Sequence, residues 1–82
     1  MQNQSQSIQK KILKVDAGIL DLLDKRTRLQ KELAKIEKNF FRIERQNLAK
    51  LIEKKHSTII PDEKILEIWG KIIEIPKDMV DS

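Results

Sequence analysis

The chain contains no cysteine and no tyrosine, and only three aromatic residues, Phe40, Phe41 and Trp69. Without cysteine there is no disulfide framework, no thiol chemistry and no thiolate metal site. Two glycines and two prolines leave little turn chemistry, which argues against an all-β architecture and for helices. No apolar run approaches the ~20 residues that a membrane span needs. The opening MQNQSQS is polar and lacks the apolar centre of a secretory signal, so the default expectation is a cytoplasmic protein without membrane partners. A single histidine, His56, cannot form a zinc site without several converging carboxylates, and it reads as a surface residue at a helix end. Basic residues are not interleaved with aromatics of the kind that stack bases, so nucleic acid is not an expected partner.

What the chain has in quantity is Leu, Ile, Lys and Glu. Charged residues make up 37% of the 82 positions, with a net charge of +4. Lys and Glu alternate along the chain rather than clustering, as on solvated helix faces. One domain is the limit at this length.

The stretch Ile12–Lys38 organises the rest. Ile12, Val15, Ile19, Leu22, Leu29, Leu33 and Ile36 recur at steps of three and four, drawing one stripe along a helix. A helix of that size is about 40 Å long, more than one short chain can cover on all its apolar sides. A second copy of the same chain is the expected remedy. Arg26 sits in the stripe where an apolar residue belongs. A guanidinium there needs a partner or a ligand. It pairs with an acid of a neighbouring helix, snorkels to solvent, or serves a site.

Residues 1–7 read as a disordered polar tail, with Ser7 as N-cap of the first helix. Gly18 interrupts helix propensity and suits close approach of another backbone. The residues permit one continuous helix from Ile8 to about Lys54. Asn39 and the Phe40-Phe41 pair favour a break, with the first helix ending near Asn39 and a second over Arg42–Lys55. Lys54, Lys55 and His56 suit the negative end of its dipole. Pro61-Asp62-Glu63 opens a third helix with a wide apolar face that includes Trp69, expected in the core. Pro76 stops it, residues 8–76 form the single helical domain, and residues 77–82 are a tail.

The pattern of Asp16, Ile19, Leu20, Asp21, Leu22, Leu23, Arg26 and Leu29 resembles the first helix of the all-helical chorismate mutases. IPDEKILEIWGKIIEI resembles that family's last helix, and Arg45 falls where the family's second helix has an arginine. The resemblance covers Ile8–Ile75. It implies an intertwined homodimer of three-helix chains that isomerises chorismate to prephenate, a step of aromatic amino acid biosynthesis. No metal, cofactor or nucleophile is required, because the work is orientation and preorganised electrostatics.

Carried over by residue, the resemblance makes Arg26 and Arg45 the carboxylate grips. Gln46 stands where many members have a glutamate. The arginine donated across the dimer falls on Gln9, with Lys10 and Lys11 adjacent. The lysine for the ether oxygen falls on Glu37, leaving Lys38 as the nearby candidate. Two late donors fall on about Pro76 and Val80, and the loop after the first helix is about four residues shorter than usual. These departures imply turnover far slower than in a typical member. The alternative is a non-catalytic helical dimer or coiled-coil interaction module.

Overall fold

The computed structural model describes residues 2–78. Among them there are three α-helices, 87% helical content and no strand. The first helix, α1, runs Gln2–Ile36; α2 runs Phe40–Lys54; α3 runs Asp62–Glu74 and continues into a 3₁₀ turn at Ile75–Asp78.

α1 starts at Gln2, so the polar residues expected to form a tail ahead of Ser7 extend the helix instead. Gln, Asn and Ser tolerate an exposed helix when no glycine or proline interrupts it. Gln9 Nε2 donates to Ser5 Oγ at 3.0 Å across one turn. The break between α1 and α2 falls at Glu37-Lys38-Asn39, so the continuous helix to Lys54 does not form. Asn39 is not the end of α1, which stops three residues earlier, but the N-cap of α2. α2 begins at Phe40 rather than Arg42, because Phe40 is drawn into the interior at the hairpin corner.

α2 ends at Lys54, and Lys55 turns into an extended conformation with its N–H still on the Leu51 carbonyl. In the connector, Ser57 Oγ accepts N–H bonds from Ile59 (3.1 Å) and Ile60 (2.9 Å), turning the chain toward α3. Pro61 caps α3, and its carbonyl receives the N–H groups of Lys64 and Ile65. Asp62 and Glu63 lie in the first turn, at the positive end of the dipole. Pro76 is buried in the 3₁₀ turn that follows α3, where its ring prevents a further α-helical turn.

The core is small: among the described residues, Phe40, Leu48, Ile73 and Pro76 are the buried apolar ones, with Gln30 beside them. It forms where the second half of α1 meets α2 and α3. Every residue from 3 to 22 is exposed, so the first half of α1 projects past the bundle. The seven-residue spacing that packs Arg26 and Leu33 inward continues as Ile19 and Ile12 on that bare half. Ile8, Ile12, Val15, Ile19, Leu20 and Leu22 are all between 49% and 67% exposed.

The molecule measures 54 × 32 × 16 Å, with a radius of gyration of 16.1 Å. A compact chain of this length would have about 12 Å. Its accessible surface is 7467 Å², roughly 2,300 Å² more than a compact monomer of its mass exposes.

Candidate functional site

Arg26 lies on the α1 face that meets α2. Glu44, one turn into α2, faces it, and Arg26 Nη2 reaches Glu44 Oε1 at 3.1 Å. The second oxygen, Oε2, accepts from Gln30 Nε2 at 2.6 Å. The same nitrogen donates to the Ile73 carbonyl at 3.1 Å, tying α1 to the end of α3. Gln30 is only 2% exposed, and Ile73 is fully buried. One amide therefore links three helices through an ion pair and a backbone carbonyl. Of the readings open for Arg26, pairing with an acid on a neighbouring helix is the one that occurs.

The pairing is incomplete. Arg26 Nη1 and Gln30 Oε1 are both buried without a hydrogen-bond partner. Such atoms cost about 1–3 kcal/mol each unless something fills them. The Arg26 side chain is 29% exposed, whereas that of Glu44 is 11% exposed, so Arg26 forms part of a surface. That surface is a cleft of about 350 Å³ lined by Arg26, Glu44, Asn47, Leu48, Leu51 and Trp69. Trp69, expected in the core, is half-buried and forms a wall of the cleft.

A second groove of about 340 Å³ shares Leu48, Leu51 and Trp69 and runs to the α2–α3 connector. His56 and Asp62 pair across its mouth at 3.3 Å, both largely exposed. Its walls are apolar, and neither unpartnered buried atom belongs to the residues that line it. The Arg26 cleft is the better candidate because it sets a charged pair, Arg26 and Glu44, beside an apolar wall.

The other residues singled out from the sequence do not line this cleft. Arg45 lies beside Phe41, Glu74 and Lys77 in a separate shallow depression. Lys38 occupies the exposed α1–α2 turn, and Gln46 is exposed on α2. Gln9 is bonded to Ser5, and Lys10 stands with Lys11 and Lys14 along the projecting half of α1. The Val80 position lies outside the described residues. Glu44 and Gln30 were missed from the sequence. The available signal was Gln30 itself, a neutral polar residue one turn beyond Arg26 on the inward face.

Comparison with protein families, with curated proteins and with solved structures finds no match for this chain.

Proposed function

We infer that the chain is a helical homodimer on the plan of the all-helical chorismate mutases whose Arg26 cleft binds a small carboxylate. In this reading it turns chorismate over far more slowly than a competent isomerase. The observation that carries it is Arg26, a part-exposed cation beside a cleft walled by Trp69 and Leu51. A charged guanidinium with its fork of N–H groups is a strong donor to a carboxylate. Slow turnover follows from the company Arg26 keeps. Glu44 neutralises it, and no second cation lines the cleft to stabilise charge on a breaking ether bond. Lack of one such donor typically costs about 10²–10³ in rate.

The homodimer is supported by the bare half of α1. The surplus surface of the chain, roughly 2,300 Å² per copy and so about twice that in a pair, falls in the total range that obligate dimers bury, about 2,000–5,000 Å². Apolar stripes of that extent are rare on monomers.

A second reading, full chorismate mutase activity, is favoured by the helix order and by Arg26 on the inner face of α1. It requires a partner copy to bring Lys10, or a rearranged Lys38, to the cleft. The test is chorismate loss with purified protein, beside equilibrium dialysis of the same ligand. The carboxylate-binding reading expects saturable retention that Arg26→Ala abolishes, with rearrangement near the uncatalysed rate. Rapid turnover, abolished by the same substitution, would establish the isomerase instead. Absence of binding and turnover alike would sink both readings for chorismate.

A further inference from the structure

The bare half of α1 restricts how a second copy can lie on it. Ile8, Ile12, Val15, Ile19 and Leu22 form its apolar line, with Lys11, Gly18 and Lys25 along one edge and Gln9, Asp16 and Leu23 along the other. Farther along α1 the same line is taken. Arg26 meets Glu44 of α2 there, and Gln30 meets the Ile73 carbonyl of α3. A partner helix can therefore follow the line only as far as the bundle. We propose that these arms of two copies pair antiparallel about a twofold axis between Leu13 and Lys14, with Ile8 against the partner's Ile19 and Ile12 against the partner's Val15. The proposal rests on the homodimer reading and fixes its orientation and register.

Space and charge select this arrangement over its rivals. The overlap runs from Asn3 to Asp24, close to the exposed stretch 3–22. In an antiparallel pair each edge of the line meets the same edge of the other copy. Gln9 then stands beside the partner's Asp16, an amide beside a carboxylate. The Lys11 stem crosses the partner's Gly18, where no side chain stands in the way. Moving the axis to Ala17 also keeps apolar residues together, but it sets Asp16 against its own copy and Lys11 against the partner's Lys25. Like charges so placed repel. That register also carries the start of the partner's helix to the level of Glu32, into space that α2 and α3 hold. A parallel pair gains Lys11 beside the partner's Asp16. It is blocked all the same, because the partner's α1 runs on past Arg26 into α2. In the proposed register the partner's Lys10 lies level with Ala17, about 13 Å short of Arg26 along the helix. The cleft keeps its single cation, in line with slow turnover.

The chain has no cysteine, so single cysteines placed in the full chain report contacts without background. Ile8→Cys and Ile19→Cys chains are mixed, allowed to exchange subunits and oxidised, and the disulfides are read by mass spectrometry. Ile12→Cys mixed with Leu22→Cys serves as the probe of the Ala17 register. A disulfide needs its Cβ atoms about 4 Å apart, so the mixed disulfide of the Ile8→Cys and Ile19→Cys chains should dominate over both homodisulfides. A nitroxide on Lys31→Cys, an exposed site, adds a distance that leaves the apolar line untouched. The proposed pair sets the two labels about 50 Å apart along the helices, and the Ala17 register about 10 Å closer. Dominant homodisulfides, coupling of Ile12→Cys with Leu22→Cys, or a label separation of about 40 Å or less overturn the register and leave the dimer standing. A monomer mass with no disulfide overturns both.

Discussion

Glu44 meets Arg26 through a single contact, Oε1 to Nη2 at 3.1 Å, although the two side chains could form a two-point fork. The other carboxylate oxygen is held by Gln30 at 2.6 Å, and Gln30 is anchored in turn on the Ile73 carbonyl. A bidentate arginine–carboxylate pair would consume both terminal nitrogens. Here one of them, Nη1, is left over inside the protein. The cluster is therefore a structural tie between three helices that leaves one buried arginine donor unpaired.

The structural part is tested by Gln30→Leu. The substitution keeps the volume and removes the donor to both Glu44 and Ile73. Glu44 loses its second partner, and the Ile73 carbonyl is left without the amide. The expected cost is about 1–3 kcal/mol, read as a lower midpoint in urea with an unchanged slope. An unchanged midpoint would mean that water replaces the amide without loss.

Ile73 is fully buried at the meeting point of the helices. Ile73→Ala should cost about 2–5 kcal/mol, the range for deleting a core aliphatic. In a core this small, that is enough to leave much of the chain unfolded at 37 °C, visible as lost helical circular dichroism. A cost below 1 kcal/mol would show that the bundle collapses around the void.

Gly18 lies between Val15 and Leu22, and a Cβ built on it meets nothing within 4 Å in a single chain. In an isolated helix, Gly18→Ala gains up to about 1 kcal/mol. The dimer predicts the opposite sign, because a methyl group there keeps the two backbones apart. Association should weaken, lowering the melting temperature at a given protein concentration. A higher melting temperature with unchanged association would place Gly18 in solvent.

Much of the architecture is legible in the residues for physical reasons. The three- and four-residue spacing from Ile12 to Ile36 fixes α1, and Pro61-Asp62-Glu63 marks the start of α3 to within a residue. The α1–α2 break is visible in Asn39 and the paired phenylalanines, but its place is not. Helix ends depend on which side chain the interior captures, and here it captures Phe40. The polar start of α1 is misread because Gln and Ser suit both a tail and an exposed helix. Arg26 stands out because it interrupts an apolar stripe. Glu44 does not, since it is one acid among many on a Lys- and Glu-rich helix. Only the pairing of α1 with α2 brings it to Arg26. The remaining site residues drawn from the resemblance, Arg45 and Lys38 among them, lie elsewhere on the chain.

Leu22 is 67% exposed, and Ile12 is 54% exposed, on the bare flank of α1. Surface substitutions in a monomer usually change stability by less than about 0.5 kcal/mol. Ile12→Glu with Leu22→Lys should instead dissociate the dimer and expose the bundle to unfolding. Size-exclusion chromatography with light scattering reads the mass, and a helical melt reads the stability. A double variant with wild-type mass and melting temperature would rule this face out as the interface.

The most direct measurement is sedimentation equilibrium of the wild-type chain at micromolar concentration. The account predicts a folded species of twice the 9.7 kDa chain mass, with little monomer until the protein also loses helix. A well-folded, monodisperse monomer at that concentration would contradict it, leaving the bare half of α1 without the partner on which the account depends.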